Sequence, residues 1–160
     1  LSDESDPCPL VAGSVCCCFD DTTSPDIDPT VLPGSGDSLV LVGSLDSGDG
    51  IWTRLQEDCT LGTTESYHDD YVLSNDGLTE LNITVTAEWI GDGYLHVLGA
   101  PFSPAGPHDC LGGNDDLNSN RERSAVSGIV VPPGEEIVIV TSTFDGLATI
   151  DRYQLTITSQ

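Results

Sequence analysis

One stretch, residues 67–88, constrains the fold of this chain more than any other. Large side chains recur at every second position over 67–73 and again over 81–85, many of them aromatic or β-branched. A period of two with such residues is typical of half-buried strands. Between the two runs, Asn75-Asp76-Gly77 favours a turn because asparagine and glycine tolerate positive φ. The stretch therefore predicts two strands joined as a β-hairpin.

The same rhythm continues through residues 37–160. Short strands are predicted over 38–45, 51–55, 93–98, 124–131, 136–143 and 150–158. Turn residues separate them, and the sequence contains no amphipathic helix pattern. About eight short strands with turns between them predict an all-β fold, an antiparallel jelly-roll-like β-sandwich in one domain.

Residues 1–36 differ in composition and are predicted to form an extended arm. They hold four of the six cysteines, are rich in proline, aspartate and serine, and show no sustained period. Their one apolar patch, with the sequence PLVAGSV, is suited to a single strand that adds to the sheet edge of a neighbour. The predicted assembly residues of this patch are Pro9, Leu10, Val11 and Val15.

The charge of the chain restricts its partners. There are 27 acidic residues and 4 basic ones, which gives a formal net charge of -23 at pH 7. Nucleic acid and anionic membrane surfaces are excluded because both are bound through many cationic side chains. The chain also lacks an apolar run of about 20 residues, so we expect no membrane insertion. Such a chain suits high ionic strength or divalent cations.

The cysteines predict disulfides and therefore an extracellular or cell-surface location. The opening sequence LSDESDP fits a mature end left after export. The candidate disulfide residues are Cys8, Cys16, Cys17, Cys18, Cys59 and Cys110.

Several pairings of these cysteines are open. A bridge between Cys59 and Cys110 is the first expectation, since both are predicted to lie in loops of the sandwich. The alternative is that each holds the arm by pairing with one cysteine of the run at 16–18. The arm also offers intermolecular bridges. Zinc is the competing interpretation, but the spacing lacks paired Cys-x-x-Cys motifs.

The order of the motifs along the chain resembles that of the bacterial pre-peptidase C-terminal (PPC-like) modules. The matching positions are Tyr67, Asp69, Tyr71 and Leu73; Gly91, Asp92, Tyr94 and Leu95; Phe102 and Pro104; Asn114, Asp115 and Asp116; Pro133, Gly134, Val138 and Val140; Phe144; and Tyr153, Leu155 and Ile157. The resemblance covers about residues 39–158 and implies a jelly-roll-like sandwich without catalytic machinery. Such modules are appended to secreted hydrolases or built into bacterial surface and adhesin-like proteins, and some bind calcium.

Oxygen-rich loops make calcium the candidate cofactor, although none is required by the fold. Asn114, Asp115 and Asp116 form the best candidate site, because calcium takes six to eight oxygen ligands. Asp46 and Asp49 with Gly50 form a second. The competing interpretation is a solvated turn whose aspartates cap backbone amides.

No catalytic motif accompanies the three histidines, and we expect no enzyme activity. His68 and His96 are predicted to be surface or rim residues. Trp52 and Trp89 could form a carbohydrate platform, but a packed position is the favoured interpretation. Asn82 begins an Asn-Ile-Thr sequon on the outward parity of its strand and is a candidate glycosylation site.

Together these features predict a non-catalytic extracellular structural protein, a self-assembling filament or pilus-like fibre subunit. Its arm would act by strand exchange or disulfide cross-linking, and its partner would be another copy of the chain. The alternative is a secreted carbohydrate- or protein-binding, adhesin-like module, with a glycan or surface protein as partner. A further alternative is an accessory domain of a secreted hydrolase.

Overall fold

The chain folds into ten strands in a computed structural model, which describes residues 30–160. The strands are β1 (Thr30–Val31), β2 (Ser38–Leu45), β3 (Gly50–Leu55), β4 (Leu61–Ser74), β5 (Leu81–Trp89), β6 (Gly93–Gly99), β7 (Cys110–Asn114), β8 (Arg123–Val131), β9 (Glu136–Thr143) and β10 (Ile150–Ser159). These residues contain no helix, and hence none of a length and hydropathy that could cross a membrane.

The strands form two sheets, which confirms the all-β, two-sheet prediction. The six-stranded sheet has the order β1-β4-β9-β6-β7, with β3 also paired to β4. The four-stranded sheet has the order β2-β10-β5-β8. Every pairing between these strands is antiparallel except that of β1 with β4. The bounds of β2 and β9 agree with the prediction.

The main core lies between the sheets. Alternate residues of β5 and β10, such as Ile83, Val85, Leu155 and Ile157, are fully buried there. Burying such a side chain contributes about 1.5–3 kcal/mol relative to leaving it exposed. In these two strands, the period of two in the sequence therefore reflects the burial of alternate side chains in the core.

A second apolar cluster covers the outer face of the six-stranded sheet. Trp52, Leu98, Val138 and Val140 are buried in it, with Phe102 of the β6–β7 connection packed against them. Since β9 is covered on both faces, it is apolar over four consecutive positions, 137–140, instead of alternating.

The predicted β-hairpin is wrong, because β4 and β5 lie in different sheets. β4 pairs with β9, and β5 pairs with β10 and β8. The turn between them spans the gap from one sheet to the other. Asn75 is buried there, and its side-chain amide donates to the carbonyl oxygens of Thr79 at 3.0 Å and Val131 at 2.8 Å. Asn75 thus stabilises an arch, a connection that crosses from one sheet to the other.

Candidate functional site

A disulfide joins Cys59 to Cys110, the first of the two pairings expected for these cysteines. Cys59 lies in the turn after β3, whereas Cys110 is the first residue of β7 and not a loop residue. The remaining disulfide candidates and the apolar patch of the arm lie outside the described residues. These are Cys8, Cys16, Cys17, Cys18, Pro9, Leu10, Val11 and Val15.

The end of the predicted arm that the structure describes packs on the sandwich. Thr30 and Val31 pair with the end of β4, and Leu32 is buried in the main core. The following residues then cross to the other sheet, where the Gly36 amide donates to the Ser159 carbonyl at 2.9 Å. The arm therefore enters the sandwich beside β4.

Two of the three predicted calcium ligands lie together, and a third carboxylate joins them. One oxygen from each of Asp92, Asp115 and Asp116 lies within 4.8 Å of the others. Asn114 does not share this cluster: its Nδ2 donates to Glu57 Oε1 at 3.3 Å, and its Oδ1 accepts from the Ala125 amide at 2.8 Å. Asp92 was missed as a ligand because it lies in the β5–β6 turn, far from the other two in sequence.

Asp92, Asp115 and Asp116 form an acidic cluster, in which the ionised carboxyl groups repel one another. Burial and then the neighbouring charges of Asp116 and Asp92 raise the pKa of Asp115 to about 6, and burial also raises the pKa of Asp92. In each residue Oδ1 is buried and has no hydrogen-bond partner among the described residues. Arg121 Nη1, which is largely exposed, lies 3.8 Å from Asp92 Oδ2, and the charge of Arg54 opposes the increase in the pKa of Asp92 and Asp115. A hard divalent cation with additional water or carbonyl ligands fits this donor set.

An open cleft of about 410 Å³ adjoins the acidic cluster. Glu57, Asp58 and Asp115 give its lining negative charge, and Tyr94 and Phe144 form its apolar wall. Buried Arg54 stacks on the Tyr94 ring, with its guanidinium carbon 4.0 Å from the ring centroid. The cleft therefore gives cations a route to Asp115.

The second predicted calcium loop caps its own turn. Asp46 Oδ1 accepts from the Gly48 amide at 2.6 Å, and Asp49 Oδ2 accepts from the Asp46 amide at 2.6 Å. These carboxylates therefore have backbone partners, unlike those of the acidic cluster.

The prediction that His68 and His96 are surface or rim residues is wrong. Both are buried, and with His108 they surround Trp52, whose ring centroid lies 6.1, 5.4 and 5.5 Å from those of His68, His96 and His108. The β6–β7 connection covers this face of the sheet, which the strand pattern could not reveal. Burial lowers the pKa of His68 and lowers that of His96 to about 4.

The aromatic side chains do not form a carbohydrate platform. Trp52 and Trp89 are both buried, which confirms the favoured packed interpretation. The Trp89 indole donates to Ser124 Oγ at 3.1 Å. Tyr94 is only 2% exposed and stacks between Arg54 and His96. Asn82 of the sequon is exposed on β5, so it stays a candidate for glycosylation.

Among residues 30–160, one long side of the sandwich is left open, and β2 forms its edge. Residues 32–37 lead into β2 from β1, and residues 46–49 lead from β2 to β3. On the facing sheet, β3 pairs with β4 as far as His68, and β1 pairs with β4 from Leu73 onward. Residues 69–72 of β4 therefore have no strand partner on that side within the described chain.

Half-buried apolar side chains line this opening, which we call the open seam. Leu39 and Leu41 of β2 and Tyr67 and Tyr71 of β4 border it, and all four pack against the main core without being fully covered. Deeper in the seam, the Tyr153 hydroxyl donates to Asp69 Oδ2 at 2.5 Å and lies 2.5 Å from the Tyr71 hydroxyl. The open seam thus combines a free strand edge with exposed apolar surface.

No family model, no curated protein and no solved structure matches this chain. The resemblance to PPC-like modules therefore stays a prediction, and what the chain does has to be inferred from the acidic cluster and the open seam.

Proposed function

We propose that this chain is a non-catalytic structural subunit of the cell surface or extracellular space that assembles with copies of itself through its arm. In this proposal the sandwich is jelly-roll-like, the arm is rich in disulfides, and the product is a filament or fibre. The observation that carries this proposal is that, within residues 30–160, β2 is an unpaired edge on the side of the sandwich where the arm enters. An exposed edge with apolar surroundings is a template for pairing with another chain.

The edge strand has the composition of a pairing surface. β2 reads SLVLVGSL and contains neither a charged residue nor a proline, although 27 of the 160 residues are acidic. Its outward-facing Val40 and Val42 are 50% and 54% exposed. Charges and prolines are the usual means by which sheet edges avoid pairing. Their absence from β2 supports a role in assembly.

The arm is long enough to reach another subunit. The 29 residues before Thr30 span up to about 100 Å when extended, at about 3.3–3.6 Å per residue. A strand supplied in this way gains main-chain hydrogen bonds from the edge and side-chain contacts from the seam. A contact between one subunit's arm and the next subunit's edge is heterologous, and it propagates into a fibre when the rotation between subunits does not close a ring.

Charge makes such assembly dependent on salt. Subunits with a net charge of -23 repel one another at low ionic strength, and the repulsion is screened beyond about 10 Å in 0.1 M salt. Calcium at the acidic cluster would reduce the repulsion further. Arm cysteines would then cross-link the assembled copies.

Negative-stain electron microscopy and sedimentation of the full chain test the proposal. We expect fibres of regular width at high salt and their loss in the variant Val11→Asp/Val15→Asp, which places charge in the apolar patch. The matched control is Thr22→Asp/Thr23→Asp, which adds the same charge to the arm outside the patch and should leave fibres intact. Parallel samples with a reductant or EDTA show whether disulfides or cations hold the fibres.

Uniform single particles of one subunit under all conditions would contradict the proposal. That outcome would favour the binding-module alternative. Fibres that persist in Val11→Asp/Val15→Asp would show that the chain assembles, but not through this patch.

A further inference from the structure

The free edges of the two sheets differ in how well they could accept a strand. β7 has five residues and is fixed at its start by the Cys59–Cys110 bridge. β8 contains a bulge, next to which Gly128 has a φ of 75°, and begins with Arg123. β3 has an irregular register with β4 and carries buried Arg54. β2 is eight residues long and uncharged, and its register with β10 is regular from Gly43 to Ser38.

A strand that paired with β2 would cover apolar side chains of the open seam. Leu39 and Leu41 point toward the main core but are only half-buried, as are Tyr67 and Tyr71 opposite them. Because side chains alternate along a strand, every second residue of an added strand would enter the seam. Its other residues would lie beside Val40 and Val42 on the outer face.

One segment outside the described residues suits this position. Residues 10–15, LVAGSV, are uncharged and contain no proline. Their odd positions place Val11 and Val15 on one face with Gly13 between them. By contrast, residues 25–29, PDIDP, contain two prolines and two aspartates. Proline removes a ladder hydrogen bond, so that nearer segment is a poor edge strand.

The cysteine count favours a second copy as the source of the segment. With Cys59 and Cys110 paired to each other, any disulfide of the arm cysteines joins them to one another, in the same copy or in another copy. Within one chain, Cys8 can take one member of the run at 16–18 and leaves two that are close neighbours. If Cys8 takes Cys16 or Cys18, the two that remain are adjacent, with Cα atoms about 3.8 Å apart where a disulfide usually needs about 4.4–6.8 Å. If Cys8 takes Cys17, the remaining pair would have to close a ring over a single intervening residue. Arms of different copies avoid this conflict.

We infer that β2 and the open seam are the acceptor site for residues 10–15 of a second copy of this chain. The inference rests on the proposed function and adds that the donated segment belongs to a second copy and that one of its faces lies in the open seam. The donated strand extends the four-stranded sheet beyond β2 and covers Leu39 and Leu41. The cysteine run that follows it in sequence then lies at the junction between two subunits.

Two paired variants of the full chain test the acceptor site. Leu39→Thr/Leu41→Thr changes the residues that point into the seam, and Val40→Thr/Val42→Thr makes matched changes on the outer face of the same strand. We expect the inward pair to raise the protein concentration needed for assembly about tenfold or more, because apolar surface that the donor would cover is removed. We expect the outward pair to change it by less than about twofold.

Hydrogen exchange of the wild-type chain gives a second measurement that needs no variant. On assembly, the amides of Ser38–Leu45 should become protected, while those of Cys110–Asn114 and Arg123–Val131 keep their rates. This result decides the question if the leucine variant fails to fold.

The possible failures are distinguishable. If the wild-type chain never assembles, both the proposed function and this inference fall. If it assembles without protecting β2, and both paired variants behave alike, the acceptor assignment is wrong, and the self-assembly in the proposed function stands with another edge as its contact. If β2 is already protected in dilute monomer, the chain's own arm occupies the seam and a second copy does not.

Discussion

The two long sides of the sandwich are built in opposite ways. On one side, β7 packs directly beside β8: a Cβ added to Gly112 would lie 2.7 Å from Val126 Cγ1. The Cys59–Cys110 bridge and the acidic cluster lie at the two ends of β7. On the other side, β2 stands beside β4 with the half-buried open seam between them. One side is closed by packing and a covalent bond, and the part of the chain that the structure describes provides neither on the other side.

This difference separates stability from assembly. A short edge strand, a bulge and a disulfide all oppose pairing with another chain, and the closed side has all three. The open side has a long apolar edge without charge in a chain that is otherwise strongly acidic. We therefore expect changes on the closed side to act mainly on unfolding, and changes on the open side to act on unfolding and association together.

The largest effect on unfolding should come from removing the covalent bond of the closed side. Cys59 and Cys110 are separated by 51 residues, and closing a loop of that size lowers the entropy of the unfolded chain by an amount worth about 4 kcal/mol. Cys59→Ala/Cys110→Ala should lower the free energy of unfolding by about that amount in urea titrations at high salt. Cys8→Ala, which changes only the arm, is the control and should shift it by less than about 0.5 kcal/mol. Equal effects of the two variants would mean that the bridge does not stabilise the sandwich.

Two glycines on opposite edges of the four-stranded sheet sharpen the comparison. A Cβ at Gly43 of β2 would collide with the Tyr153 hydroxyl and lie 2.8 Å from the Tyr71 hydroxyl. We expect Gly43→Ala to cost about 2–3 kcal/mol because these rings are held by the core and by each other. At Gly128 of β8 there is open space, but φ is 75°, so Gly128→Ala should cost about 1 kcal/mol through backbone strain alone.

Urea denaturation of both glycine variants measures the difference. A cost at Gly128 equal to or above that at Gly43 would show that the hydroxyls of the open seam move aside easily. The side chains that line the open seam would then be easily displaced, so a donated strand could insert without being complementary in shape to the seam.

Much of the strand layout was predictable because alternation reports burial on one face. β2 and β9 were placed correctly, and β10 differs by one residue. The pairing of strands was not predictable in the same way. The Asn-Asp-Gly turn at 75–77 fits a hairpin as well as it fits an arch between sheets, and only tertiary contacts of Asn75 select the arch.

The sites were harder to predict because they join distant segments. Asp115 and Asp116 could be found in a loop rich in asparagine and aspartate, but Asp92 reaches them only through the pairing of β6 with β7. His68 and His96 looked exposed because one face of a two-sheet fold is normally solvated. The cover provided by the β6–β7 connection leaves no periodic signal in the sequence.

Calcium should strengthen the closed side by a smaller amount. Free calcium at about ten times its dissociation constant would add about 1.4 kcal/mol to the free energy of unfolding, and extracellular sites often bind with constants of about 10⁻⁴–10⁻³ M. Thermal unfolding in calcium, compared with sodium at the same ionic strength, measures this increment. Asp115→Asn/Asp116→Asn should abolish it, and Asp46→Asn/Asp49→Asn in the self-capped turn should preserve it. An equal increase in sodium, or in the Asp115→Asn/Asp116→Asn variant, would mean that calcium acts only by screening charge.

The smallest predicted effect concerns a carboxyl group of the open seam and changes with pH. Burial raises the pKa of Asp69 to about 6, opposed by the Tyr153 hydrogen bond and supported by the charges of Asp49, Asp70 and Asp46. Because the folded pKa lies above the unfolded one, the stability linked to this group is fully present below about pH 4. It is lost as the pH rises through about 6. Asp69→Asn keeps an oxygen that accepts from Tyr153 and removes the charge.

Asp69→Asn should therefore be more stable than the wild type at pH 8 by about 1 kcal/mol, a value reduced for the partial exposure of the side chain. At pH 4 the two should be equal. Asp151→Asn, on the exposed face of β10, removes the same charge and controls for the general repulsion in a chain of net charge -23.

The buried His96, with its pKa lowered to about 4, produces the opposite trend, since its contribution to stability is lost as the pH falls below about 6.5. That trend is common to all three proteins and cancels in their differences. Asp69→Asn could show no greater free energy of unfolding than Asp151→Asn at pH 8, or the same difference at pH 4 as at pH 8. Either result would mean that water solvates the Asp69 carboxyl group in the open seam. If the advantage also grew on assembly, a donated strand would be covering Asp69.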